Sequence, residues 1–440
     1  MTGMTGLPKA DINPGYFRWF QLICGIICMA TIANLQYGWT LFVDPIDTKF
    51  HWGRAAIQLS FTIFVVVETW LVPFKAWFVD KYGPSRVVAF GAIGIALGWV
   101  INSQASSIMM LYLGAFVSGI GAAAIWSASV GNALKWFPDR RGLAAGLTIA
   151  GFGAGAAITI VPIANSIAAN GYERTFLWFG IGQGVIALIM GLCLRRPSAS
   201  VVKLASDSVL QTSGNTKPVD AVKTPVFWLM YVMFVLVASC GLMAIAQLGP
   251  YAKDLKIANI PVSPFGIEMT ILTLAISLDR ITDGIGRPLF GYISDRIGRE
   301  NTMFIAFGVG AVALMGLSQF GSNPALFIVM TPLYFWVFGE IFTLFPSICA
   351  DTFGNKYATT NAGLLYTAKG TAALIVPAAS IVAASHGWST VFGLASAFNL
   401  TAALLAIFAL KPLRRRYLAK RAIIGEASST PSTAHAVPAE

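Results

Sequence analysis

Residues 73–83 read PFKAWFVDKYG, and residues 288–298 read PLFGYISDRIG. In both, a Pro near the end of an apolar run is followed seven residues later by an Asp, Asp80 or Asp295, and then by a Gly, Gly83 or Gly298. The stretches are offset by 215 residues, and the same offset joins Pro162 in IVPIA to Pro377 in IVPAA. Backbone-breaking residues that recur at one offset imply two structurally equivalent halves packed around a central path.

Composition widens that reading to the whole chain. Of 440 residues, 56% are hydrophobic and only 11% charged, which excludes a water-soluble fold. Apolar runs of membrane-spanning length, about 20 residues, are expected near 19–43, 55–79, 87–103, 108–136, 141–165 and 175–194. A second set is expected near 226–250, 266–293, 301–319, 323–350, 357–384 and 388–410. The fold class is therefore all-α integral membrane, with twelve transmembrane helices in two pseudo-symmetric six-helix halves (19–194 and 226–410). Residues 1–18 form a polar leading segment, and the first apolar run is too long and aromatic for a cleavable signal. Residues 195–225, rich in Ser, Thr and Lys, read as an unfolded linker. The tail, 411–440, is basic and then disordered after Arg421.

Most of the thirty Lys and Arg fall in the segments that share a side with both termini, so both ends are expected in the cytoplasm. The net charge of +11 is then topological and calls for no nucleic-acid partner. The five cysteines sit in apolar runs as packing residues, and three scattered histidines form no ligand set. No cofactor or metal is expected.

The loops Asp80-Lys81-Tyr82-Gly83 and Asp295-Arg296-Ile297-Gly298-Arg299 resemble the D-[RK]-x-G-[RK] signature of the major facilitator superfamily, and the resemblance covers essentially the whole chain. Asp80, Gly83, Asp295, Arg296, Gly298 and Arg299 are thereby candidates for gating between the halves. Asp suits a helix end, and Gly supplies the tight turn. A plain turn carrying topological charge is the alternative.

Eight ionisable residues lie inside the expected spans: Glu68, Lys75, Asp279, Arg280, Asp283, Arg287, Glu340 and Lys369. Each costs about 2.5 to 3.5 kcal/mol in hydrocarbon, so each is expected to face protein or a water-filled cavity. Ion pairs that merely join helices are one account of the set. Yet the 215-residue equivalents of Arg287 and Lys369 are Val72 and Ala154, so the architecture common to both halves does not need these cations. Asp279, Asp283 and Arg287 share one face of span eight, with Arg280 on a neighbouring stripe. Asp283 has either arginine as a partner. Two cations from different helices near midplane suit a small dianion, one for each carboxylate. Gln36, Tyr37, Trp126, Phe338, Phe342 and Tyr366 lie at mid-span on helices one, four, ten and eleven, which line the central path in this superfamily.

Within the superfamily, LQYGWTLFVDP, WFPDRRGLAAGLTIAGFGAG, GRPLFGYISDRIGR, LFPSICADTFG and YTAKGTAALIVP resemble the oxalate:formate antiporter family. That resemblance implies carboxylate binding by Arg287 and Lys369 inside an aromatic cage of Gln36, Tyr37, Trp126, Phe338, Phe342 and Tyr366. The chain departs from the family at Phe338 and Phe342, where a Trp and a Tyr are usual, at Trp126 for Tyr and Tyr366 for Trp, and in the acid Glu340 beside them.

The expected function is secondary transport of small carboxylates by alternating access, with oxalate:formate exchange first. A proton-coupled monocarboxylate symporter is the alternative, because WFPDRRGLAAGLTIAG also resembles the monocarboxylate porters and an Asp283–Arg287 pair would break on protonation. A membrane sensor lacks a folded cytoplasmic output domain, and an enzyme lacks a nucleophile–base arrangement. The expected partners are a small organic anion and membrane lipid. The chain is expected to work as a monomer in a bacterial inner membrane.

Overall fold

The computed structural model describes residues 14–197, 211–212, 214–263 and 269–429. Parts of the expected leading segment, linker and tail lie outside the described residues, as do residues 264–268 at the expected start of span eight.

The first half runs α1 (Pro14–Tyr37), α2 (Thr40–Phe50), α3 (Arg54–Trp70), α4 (Val72–Tyr82), α5 (Pro84–Ser103), α6 (Ile108–Trp136) and α7 (Arg141–Cys193). A single turn, α8 (Pro218–Ala221), precedes the second half. There follow α9 (Pro225–Asp254), α10 (Ile271–Ile297), α11 (Arg299–Phe320), α12 (Pro324–Phe338), α13 (Ile341–Phe353), α14 (Ala358–Ala373) and α15 (Val376–Leu405). A π-helical turn, Ala406–Leu410, joins α15 to α16 (Lys411–Ser429). Helices α7 and α15 reverse at Gly171 and Gly387, each with φ of 81°, so α7 holds the fifth and sixth expected spans, and α15 holds the end of the eleventh, which begins in α14, together with most of the twelfth.

Among the described residues nine helices are long and apolar enough to cross a membrane, and the pair α3–α4, bent by 43°, makes a tenth. The eighth and eleventh expected spans fall outside that set. Helix α10 has 27 residues but carries Asp279, Arg280, Asp283 and Arg287. Helix α14 has 16 residues, holds Lys369, and is interrupted before α15. The same charges that make these segments functional candidates lower their hydropathy.

Several boundaries depart from expectation. Span eight begins at Ile271 rather than 266, because the Thr270 hydroxyl accepts from the Thr273 N–H at 3.2 Å and caps the helix. Ahead of it, β1 (Pro261–Val262) and β2 (Met269–Thr270) pair antiparallel, with Pro261 opposite Thr270. Span one breaks after Tyr37 and resumes at Thr40, with the Gly38 N–H bonded to the Asn34 carbonyl at 3.0 Å. The tail stays helical to Ser429, past the expected loss of order at Arg421. Ala and Glu in that stretch favour helix. Part of the linker is fastened: the N–H groups of Thr212 and Thr216 donate to the carbonyls of Asp351 and Phe353 at 2.9 and 2.8 Å. These satisfy acceptors that the end of α13 leaves open.

Within the first half, α1 packs along α7, and α5 packs on α6 and α7. In the second, α11 packs on α15 and α10 on α12. The halves meet where α10 and α13 cross α7 and where α14 crosses α4 and α6. These crossings frame the central path.

Candidate functional site

Each helix break delivers a side chain to the same place. Gln36 and Tyr37 end α1, and Glu68 lies in the last turn of α3 before the bend. Phe338 ends α12, and Phe342 opens α13 across the Gly339–Glu340 break. Lys369 and Tyr366 lie in the last turns of α14, and Arg287 immediately precedes Pro288 of α10. Discontinuous helices are a membrane protein's way of bringing polar groups to midplane.

The eight binding candidates named from sequence (Gln36, Tyr37, Trp126, Arg287, Phe338, Phe342, Tyr366 and Lys369) surround one cavity of about 50 Å³. That is room for a few waters, at about 10 to 15 Å³ each, and so for a small ligand. Glu68, Arg280 and Asp283 share its wall, as do Ile149, Phe152, Leu242, Ile245 and Phe335, which sequence alone does not single out. Three cations therefore face two carboxylates, a formal excess that attracts an anion.

The two principal cations are held differently. Arg287 donates from Nη2 to Asp283 Oδ2 at 2.7 Å and from Nη1 to the Ile149 carbonyl of the other half at 3.2 Å. Its Nε is buried without a hydrogen-bond partner among the described residues, as is Asp283 Oδ1. Of the two arginines open to Asp283, the structure pairs it with Arg287. Lys369 Nζ donates to the Tyr366 hydroxyl at 3.0 Å and stands 3.9 Å from Glu68 Oε2, across the interface between halves. Both cations lie within 6 Å of the Phe342 ring centroid, Arg287 at 5.8 Å and Lys369 at 5.6 Å. Trp126 and Tyr366 close the cage with ring centroids 3.9 Å apart.

Arg280 lines the same cavity against its aromatic wall, its guanidinium 5.8 Å from the centroids of both Tyr37 and Phe335. Asp279 is buried one turn from Asp283 with one oxygen unpartnered among the described residues. Glu340 has no exposed surface, and neither carboxylate oxygen has a hydrogen-bond partner among the described residues. Lys75 is not on the central path. Its amine lies 4.6 Å from the Phe90 centroid in a groove between α4 and α5, so it faces protein within the first half and not the central cavity. A hydropathy window fixes depth along a helix but not direction around it.

The gating candidates lie at the end of the bundle that carries the linker. Asp80 Oδ2 accepts from the Thr360 N–H at 2.9 Å and its hydroxyl at 2.5 Å, in the first turn of α14. Its other oxygen pairs with Lys135. Asp295 accepts from the N–H groups of Gly142 and Leu143, in the first turn of α7, at 3.0 and 2.8 Å. Each half thus caps a helix of the other, satisfying N–H groups that a helix start leaves open. Arg299 binds Asp295 at 2.5 Å and Asp351 at 2.9 Å, and Arg141 reaches Asp351 across the halves at 2.6 Å. Gly83 and Gly298, with φ of 95° and 92°, make the turns that follow, a backbone region that favours glycine. Arg296 instead lies over the Tyr292 ring at 4.4 Å, outside the lock. Lys135, Arg141 and Asp351 escape a sequence reading because charges at span ends look like topological charge, and Thr360 escapes it because a hydroxyl in an apolar run draws no notice.

Comparison with known proteins agrees with this architecture. The chain is 30% identical over 400 residues to the oxalate:formate antiporter of Oxalobacter formigenes, covering 90% of this chain and 93% of that one. It is 22% identical over 378 residues to a probable sulfoacetate transporter, SauU, of Cupriavidus necator, covering 81% and 85%. Its fold matches the proton:xylose symporter XylE bound to 6-bromo-6-deoxy-D-glucose with a TM-score of 0.68 at 10% identity, covering 90% and 96%. The family model described as Major Facilitator Superfamily matches residues 22–377 and 260–435. With the two repeated halves, the reciprocal caps and a cavity at their junction, these matches identify the chain as a multi-pass membrane transporter that belongs to the major facilitator superfamily.

Proposed function

We propose that this transporter carries small carboxylates by alternating access and exchanges oxalate for formate. The observation that carries the reading is the pair of cations on separate helices beside one aromatic ring, in a cavity of about 50 Å³. A dianion of two or three carbons engages both cations, whereas an empty site leaves positive charge uncompensated in a low dielectric. The relatives named above point the same way, since one exchanges oxalate and formate and another is named for a sulfonated carboxylate.

The mechanism follows from which half holds each cation. Arg287 reaches the Ile149 carbonyl and Lys369 faces Glu68, so both make contacts across the junction of the halves. An anion that draws both cations to itself competes with those contacts. It thereby lowers the resistance to rocking, while the Asp80 and Asp295 caps shut the linker end in the state described. In the cell the linker end is the cytoplasmic side of a bacterial inner membrane, and the monomer is the working unit.

A second reading, proton-coupled monocarboxylate symport, draws on the Asp283–Arg287 pair at 2.7 Å, which protonation of the Asp would break. Counterflow in proteoliposomes decides between them. Labelled oxalate should enter against internal formate, with lactate, succinate and sulfate exchanging poorly and a proton gradient having little effect. Strong acceleration by an inward proton gradient, lost in Asp283→Asn, would establish the symporter. No counterflow with any carboxylate would remove both readings.

A further inference from the structure

A second basic site lies on the outer face of the first half. The groove between α4 and α5, of about 320 Å³, is lined by Lys75, Phe78, Tyr82, Arg86, Val87 and Phe90 and by no carboxylate. Neither Lys75 nor Arg86 has an ion-pair partner among the described residues, and the nearby Asp80 is already bound to Lys135 and Thr360. Lys75 lies seven residues before Tyr82, where α4 ends, or roughly 10 Å into the span at 1.5 Å per residue. A lone ammonium at that depth is costly unless its stem carries it toward an anion.

The pseudo-symmetry shows that the fold does not require these charges. The equivalents of Lys75 and Arg86 at the 215-residue offset are Phe290 and Asn301. Phe290 packs on Trp336, and Asn301 bonds the Ile297 carbonyl. The second half builds the same helix pair with no cation at these two positions, although the Lys411 amine reaches Asn301 Oδ1 at 2.8 Å from the chain's last helix.

We infer that the α4–α5 groove binds an anionic phospholipid, whose phosphate lies between Lys75 and Arg86 and whose acyl chain runs along Phe78 and Phe90. Charge complementarity selects this occupant. The groove offers two cations and an apolar wall, opens on the face turned away from the central path, and lies at the bundle end where basic pockets meet anionic headgroups. The site is independent of the transported substrate.

The test uses the full-length protein in nanodiscs of phosphatidylcholine, with and without phosphatidylglycerol, and in detergent titrated with phosphatidylglycerol or inorganic phosphate. Phosphatidylglycerol should raise the unfolding temperature and remain as a bound adduct in native mass spectra. Lys75→Met with Arg86→Gln should weaken its apparent affinity by roughly tenfold or more, as expected for lost charge-assisted contacts. Lys253→Gln, at the opposite end of the bundle, should leave it unchanged. If the double variant folds poorly, Arg86→Gln alone, at an exposed position, should still show the weakening. Equal stabilisation by phosphatidylcholine, an equal gain from inorganic phosphate, or unaltered binding in the Arg86 variant would overturn the assignment.

Discussion

Arg287 is gripped by Asp283 at 2.7 Å, whereas Lys369 stands 3.9 Å from Glu68 with its amine on the Tyr366 hydroxyl. Replacing the planar fork by a point charge in Arg287→Lys should therefore weaken oxalate binding despite the retained charge. Lys369→Arg should keep part of the binding that Lys369→Gln loses. A missing charge-assisted contact is worth about 1.5 to 3 kcal/mol, or roughly tenfold or more in affinity. Binding and uptake measured on folded, membrane-inserted variants check this, and unchanged oxalate transport in Lys369→Gln would remove the two-cation pocket. Glu340 supplies a second prediction. Its two unpartnered oxygens make Glu340→Met stabilising by about 1 to 3 kcal/mol, read as a higher unfolding midpoint; a lower midpoint would show that the carboxyl has a partner. The cations were legible in sequence because charge inside an apolar run is conspicuous. The opposition of Lys369 by Glu68 was not, because it joins residues about 300 positions apart through packing between the halves.

At the scale of helices, the close passage of α7 over α10 sets the position of Arg287. A Cβ at Gly146 would lie 2.5 Å from the Arg287 carbonyl oxygen and 2.8 Å from Pro288 Cα. Backbone atoms give little, and overpacking of this kind costs about 1 to 3 kcal/mol. Gly146→Ala should spread the two helices and cut transport while the protein still inserts; full activity would show that the crossing is looser than described. The caps make a further prediction. Asp80→Ala and Asp295→Ala should each expose the linker side of the pocket to thiol reagents, read on a Cys placed at Ala145. Each lost cap is worth about 0.5 to 2 kcal/mol, and labelling no faster than in the parent would deny the caps a gating role. The Pro-to-Asp repeat pointed to both aspartates in advance. It did not reveal their targets, because the first turns of α7 and α14 meet them only after the halves assemble. The break of span one at Gly38 was equally hidden inside an unbroken apolar run.

For the whole molecule, the two-half architecture was legible from a repeat of four prolines and two loops, since internal duplication leaves its period in the chain. The distribution of Lys and Arg predicts that both termini are cytoplasmic. A reporter fused after the last residue should be active only in the cytoplasm, and protection in the periplasm would change the span count. The reciprocal caps carry a consequence for the membrane's energy supply. Because Asp80 holds a helix of the second half and Asp295 a helix of the first, neither half can let go without stranding donors in both. Opening at that end behaves as a two-key latch. On that reading a leak at this end is expected only when both keys are released together, so the idle transporter should hold the membrane's ion gradients for as long as either cap stays made.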